Sequence, residues 1–296
     1  MKSCVFTGSC VALVTPMKTD RTINLDVLDQ LLDYQLAGGS DAILVCGTTG
    51  EASTLNQPEH MAVIHRALKR VNGRVPVIAG TGSNDTRHAI EQSQQAEALG
   101  ADALLLVTPY YNKTSQAGLI AHFSAIAESV SLPVMLYNVP SRTGMTIQPE
   151  TYAALAAVPN IVATKEASGN LTALVRTRRL CGKELAIYSG NDAETLPVLS
   201  LGGIGVISVL ANLLPHELHE LCMLFLTGKL SEALELQLRL EDLMSALFMD
   251  INPMPVKWAL EQMGYAVGAC RGPLTTPSEI CRTHLKELMV CSGLIY

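Results

Sequence analysis

Ile161-Val162-Ala163-Thr164-Lys165-Glu166-Ala167-Ser168-Gly169-Asn170 is a short apolar run that ends in a lysine and then breaks. Its β-branched residues predict a buried strand, and Ser-Gly-Asn predicts the turn that closes it. The other lysines (Lys2, Lys18, Lys69, Lys113, Lys183, Lys229, Lys257, Lys286) stand in polar or helical surroundings. A lysine carried into an apolar interior loses hydration of its charged form, and a neutral amine attacks carbonyl carbons. Lys165 is therefore the candidate nucleophile for an imine with a keto substrate. The competing reading is a strand-end lysine whose ammonium stays in water.

The runs around it repeat this pattern. Candidate strands fall at Ser9–Val14, Ala42–Cys46, Val75–Ala79, Ala103–Val107, Val134–Tyr137, Ile161–Lys165, Ala186–Ser189 and Val206–Val209. Stripes of helical spacing lie between them, such as Leu25, Leu28, Leu32 and Leu36, or Met61, Ile64 and Leu68. A strand–helix repeat of roughly thirty residues implies a parallel sheet. The α/β class follows, and units repeated this often close most naturally into a (β/α)8 TIM barrel. An open doubly wound sheet is the alternative. After about residue 210 the strands stop, and Leu218–Phe225, Ser231–Phe248, Pro255–Met263 and Ser278–Met289 read as helices. The expected organisation is a catalytic barrel over residues 1–225 and a docked helical extension over 226–296.

The chain has 296 residues, of which 16% are charged against about 25% in an average chain. Its apolar fraction of 48% supports a large core and some subunit surface. The mild net charge of −6, with no basic stripe, argues against nucleic acid. No apolar run reaches the ~18 residues of a membrane span. The eight cysteines form no C-x-x-C pair and no secretory leader is evident, so reduced thiols in a cytoplasm are expected.

Barrel enzymes gather their chemistry at the C-terminal ends of the strands. Those ends carry Gly47-Thr48-Thr49-Gly50-Glu51, Thr108-Pro109-Tyr110-Tyr111-Asn112, Tyr137-Asn138-Val139-Pro140-Ser141-Arg142-Thr143-Gly144, Lys165-Glu166-Ala167 and Ser189-Gly190-Asn191-Asp192. Tyr137 and Lys165 close consecutive strands, which lie ~4.8 Å apart, so a phenol near the amine could relay protons. An ordinary core tyrosine is the other reading. The Gly-Thr-Thr-Gly turn offers amides and hydroxyls to a small carboxylate. Arg142 suits bidentate capture of a carboxylate, unless it is a solvated loop arginine. His216 and His219 lie three apart on a probable helix and read as a solvated face, so no metal site is expected. No nucleophile elbow or dinucleotide fingerprint is present.

These rim motifs, with Phe6-Thr7-Gly8-Ser9, Val77-Ile78-Ala79-Gly80-Thr81-Gly82, Gly205-Val206-Ile207-Ser208 and Asn252-Pro253-Met254-Pro255-Val256-Lys257, carry a resemblance. The chain resembles the dihydrodipicolinate synthase family, in the superfamily that also holds N-acetylneuraminate lyase, over essentially its whole length. The resemblance implies a lyase-type synthase that joins pyruvate to aspartate semialdehyde. The product is 4-hydroxy-tetrahydrodipicolinate, in lysine and diaminopimelate biosynthesis. Lys165 would hold pyruvate as a Schiff base, and Tyr137, Thr48 and Tyr111 would relay protons, Tyr111 coming from a neighbouring subunit. Thr49 would hold the pyruvate carboxylate, Ile207 and Gly190 would complete the substrate site, and Arg142 would hold the semialdehyde carboxylate. A homotetramer of tight dimers, with no organic cofactor or obligatory metal, is implied too. The sialate-cleaving branch usually lacks the loop arginine, which favours the synthase. A silent keto-acid-binding barrel would have no need of the relay. Many family members are inhibited by lysine. Ser53, His60, Asn84 and Tyr110 fit that site, whereas His88 stands where lysine-sensitive members carry an acid and Gln57 where some carry histidine. Weak or absent feedback is the expectation.

Overall fold

The computed structural model describes Lys2 and residues 4–296. Its sheet is a closed barrel of parallel strands in sequence order, which excludes the open sheet. The strands are β1 (Gly8–Ala12), β2 (Ala42–Val45), β3 (Val77–Gly80), β4 (Ala103–Val107), β5 (Val134–Asn138), β6 (Ile161–Glu166), β7 (Ala186–Ser189) and β8 (Gly205–Ser208). Closure runs from Gly8↔Gly205 to Val11↔Ser208. Some ends differ from expectation for local reasons. β3 begins after Pro76, which has no N–H to give a ladder. β8 stops at Ser208 because the Val209 amide donates instead to Asp192 Oδ2 at 3.0 Å.

Around the strands lie α1 (Leu25–Ala37), α2 (Gln57–Val71), α3 (Thr86–Leu99), α4 (Gln116–Glu128), α5 (Pro140–Thr143), α6 (Pro149–Leu155), α7 (Leu171–Cys181), α8 (Thr195–Ser200) and α9 (Pro215–Leu226). Then follow α10 (Leu230–Ala246), α11 (Met254–Gln262) and α12 (Glu279–Cys291), with α10 packed on α9 and α12 on both α10 and α11. Starts are written in the sequence. At α2 the Asn56 side chain accepts from Glu59 N and the Glu59 carboxylate accepts from Asn56 N, both at 3.0 Å. Such a reciprocal cap satisfies two helix-end donors and contributes about 1 kcal/mol.

Period-two alternation divides the core. One set of strand side chains packs outward against the helices, among them Val11, Ile43, Val77, Leu104, Leu136 and Val206. The other set fills the barrel: Cys10, Ala12, Ala42, Leu44, Ile78, Ala103, Leu105, Met135, Tyr137, Ala163, Tyr188 and Ile207. Lys165 follows Ala163 by two residues and so shares the inward face. On the neighbouring strand the Tyr188 ring stacks on Phe6 at 4.3 Å, and the Tyr188 hydroxyl donates to the Phe6 carbonyl at 2.6 Å.

His219 is not on a plain solvated face as expected. Its Nδ1 meets Asp41 Oδ2 at 2.8 Å, and the same oxygen accepts from Ser9 N at 2.7 Å. Among the described residues no helix is long and apolar enough to cross a membrane.

Candidate active site

Lys165, the last residue but one of β6, lies opposite Tyr137 on β5 and Tyr188 on β7. Its side chain is 5% exposed, and Nζ lies over the Tyr137 ring, 4.5 Å from the centroid. Among the described residues the amine has no hydrogen-bond or ion-pair partner. The next residue fixes the strand end. The buried Glu166 carboxylate accepts from Asn138 Nδ2 and the Tyr152 hydroxyl at 3.1 Å and from Ser168 N at 2.8 Å. Gly190 closes the other side, donating its N–H to Glu166 O at 2.7 Å. A Cβ there would come within 3.0 Å of Lys165 Cγ and 2.8 Å of Ala167 Cβ, so only glycine lets the β7 loop lie against the lysine stem. Burial pushes the Asp192 carboxyl up, opposed by Ser208, by the Leu210 and Val209 amides, and by Lys165.

A cavity of about 370 Å³ opens at this rim. Thr48, Tyr137, Val139, Arg142 and Thr143 form one part of its wall; Ser53, His60, His88, Gln92 and Tyr110 form another. Among the described residues no aspartate or glutamate lines it. Its ionisable cationic groups are thus Arg142 and two histidines. The His60 Nε2 donates to Gly80 O at 2.8 Å, and burial pushes this imidazole's pKa down, favouring the neutral ring. His88 Nε2 accepts from Gln92 Nε2 at 2.8 Å.

The structure packs Tyr137 and Ile207 inside the barrel, sets Lys165 against the Tyr137 ring and the rim residue Gly190 against the Lys165 stem, and puts Thr48 and Arg142 in the cavity wall with Tyr137. Thr49 is buried behind them. Tyr111 does not join them. It is 94% exposed, at a left-handed φ of 66°, in a loop tied down by Asn112 Nδ2 donating to Asn84 O at 2.8 Å. Asn84 itself is not in the wall, while Ser53, His60, His88 and Tyr110 share the cavity with Thr48 and Tyr137; Lys165 and Tyr111 do not line it.

Three residues with a bearing on the site carry no role in the sequence reading. Lys257, read there as one more helical lysine, is 2% exposed and paired with Glu51 Oε1 at 2.7 Å. Glu51 Oε2 also accepts from Arg271 N at 2.8 Å. Asn252 Nδ2 donates to Thr49 Oγ1 at 3.0 Å, and the Asn252 carbonyl accepts from Arg142 Nη2 at 3.3 Å. The apolar neighbours Val256, Ala259 and Leu260 were a signal that Lys257 faces inward. Among the described residues no three His, Cys, Asp or Glu side chains gather as metal ligands.

The profile of the dihydrodipicolinate synthetase family matches residues 5–290. A 4-hydroxy-tetrahydrodipicolinate synthase of Caldicellulosiruptor saccharolyticus is 53% identical over 290 residues, 98% of each chain. The crystal structure of the chloride-inhibited dihydrodipicolinate synthase from Acinetobacter baumannii, complexed with pyruvate, superposes with a TM-score of 0.95 at 43% identity. That match covers 98% of this chain and 99% of the other. The Cyanidioschyzon merolae enzyme with lysine bound gives 0.96 at 43% identity, covering 99% and 100%.

Proposed function

The chain belongs to the dihydrodipicolinate synthetase family, and on that premise we propose how its own residues perform the family reaction. It is a lyase-class synthase that condenses pyruvate with aspartate semialdehyde to 4-hydroxy-tetrahydrodipicolinate, in lysine biosynthesis. The carrying observation is the Lys165 amine, inward-facing, without an ionic partner and lying on the Tyr137 ring.

The Lys165 nitrogen attacks the pyruvate ketone carbon, and the carbinolamine loses water to give the imine. Loss of a methyl proton gives the enamine, whose carbon adds to the aldehyde of the semialdehyde. The new alkoxide takes a proton, and the semialdehyde amine displaces Lys165 at the former ketone carbon, closing the ring and freeing the enzyme. Tyr137 and Thr48 carry the protons. Thr49 holds the pyruvate carboxylate, Ile207 and Gly190 border it, and Arg142 holds the second carboxylate. A wall with no carboxylate of its own supports two anionic substrates.

Tyr111 completes the relay from a neighbouring subunit, which its 94% exposure here supports. The assembly is a homotetramer; Leu230, Leu234 and Leu238, all exposed along one face of α10, leave apolar surface for contacts. Residues 226–296 act as an extension that buttresses the rim through Asn252 and Lys257. Eight unpaired thiols support a cytoplasmic setting.

Sodium borohydride with pyruvate should add one reduced pyruvate to each chain, mapped to Lys165. No adduct, or one elsewhere, sinks the mechanism. Lysine should inhibit weakly, because His88 stands where lysine-sensitive members carry an acid, and among the described residues no carboxylate lines the cavity to pair with the side-chain ammonium. Strong inhibition at low lysine concentration would reverse that reading.

A further inference from the structure

Asn252 lies between α10 and α11, outside the strands, yet it touches both loops assigned to carboxylate binding. It is 4% exposed, and its side-chain Oδ1 is buried with no partner among the described residues. A buried acceptor without a donor is costly, so the amide is held in this orientation by what it donates to. That group is Thr49 Oγ1, at 3.0 Å. A hydroxyl that accepts from an amide keeps its own proton to give elsewhere. The Asn252 main-chain oxygen meanwhile takes Arg142 Nη2 at 3.3 Å.

We propose that Asn252 is the positioning residue that spaces the two carboxylate sites, turning the Thr49 hydroxyl proton toward pyruvate with its side chain and holding Arg142 with its main chain. The inference rests on the roles given above to Thr49 and Arg142. It divides the two functions within one residue: a side-chain substitution removes the first and leaves the second.

The test measures half-saturating pyruvate for borohydride trapping, KM for both substrates, and thermal melting, in the wild type and in N252A, N252D, T49V and N252A/T49V. N252A should raise half-saturating pyruvate about tenfold. N252D should raise it more, about a hundredfold, because a carboxylate there draws the Thr49 proton to itself and repels the substrate. KM for the semialdehyde should change less than about threefold in N252A, since the main-chain oxygen remains. The double variant should be no weaker than T49V, as both lose one interaction. If N252A melts below the assay temperature, N252S is measured in its place and read the same way. Trapping of N252A at wild-type pyruvate, N252D binding no worse than N252A, or additive effects in the double variant would each overturn the proposal. Absence of trapping in the wild type would instead overturn the Schiff-base reading from which it starts.

Discussion

Two lysines are buried at this end of the barrel, and they differ in what they meet. Lys257, on α11, is gripped by Glu51 at 2.7 Å and also donates to Thr15 O at 3.2 Å. Lys165, on β6, lies over an aromatic ring and, among the described residues, forms no ion pair; the buried Asp192 carboxyl feels its charge only from beyond salt-bridge distance. An ammonium held by a carboxylate has no lone pair to offer a carbonyl carbon. A buried amine without such a partner does, once neutral. Burial therefore does not distinguish the reacting lysine from the structural one; the partner does.

The sharpest way to break this comparison is to remove each amine in turn. K165A should lower turnover by about a thousandfold or more, while its melting temperature stays close to that of the wild type. K257M should do the reverse in emphasis. It strands Glu51 in the interior, a loss of about 3–5 kcal/mol measured by denaturant unfolding, with borohydride trapping at Lys165 retained in the folded fraction. Replacing both partners, in E51L/K257M, should recover most of that stability. If K257M abolished trapping with no loss of stability, the contrast would collapse.

A smaller change sharpens it from the other side. G190A sets a methyl group 3.0 Å from Lys165 Cγ and should displace the amine without removing it. Turnover should fall by about ten- to a hundredfold, with KM for both substrates less affected. The smallest effect is on pH dependence. Burial lowers the pKa of His60 and of His122 from their ordinary 6.5, so the unfolded chain binds protons that the folded one refuses. Their contribution to stability is present above about pH 6.5 and is lost as pH falls below it. In H60Q the acid limb of the stability profile should be shallower.

Much of the fold is legible in the sequence because strands such as Ala103–Val107, and the start of Ile161–Glu166, are short apolar runs bounded by turn residues. Lys165 is legible for the same reason, being a polar group at the end of such a run. Lys257 is not, since a lysine in a helix is placed in solvent by any local pattern, and its partner lies 206 residues away. The Asn252–Thr49 bond spans 203 residues and likewise leaves no periodic trace. His219 was read as a surface residue because Asp41, which it meets, sits in a distant helix-to-strand turn. Arg142 and the turn that holds Thr49 were legible as carboxylate binders, but which substrate each would hold, and the role of Tyr111, came from the family resemblance, since a loop residue carries no signal of the strand ends it faces.

The stacked pair of Phe6 and Tyr188 gives the barrel a closed floor. Phe6 is 6% exposed and Tyr188 fully buried, so on the proposed mechanism a water that hydrolyses a covalent adduct should arrive by the same mouth as the second substrate. The lifetime of the pyruvate adduct is then a contest at one doorway, decided by how fully the incoming aldehyde fills it.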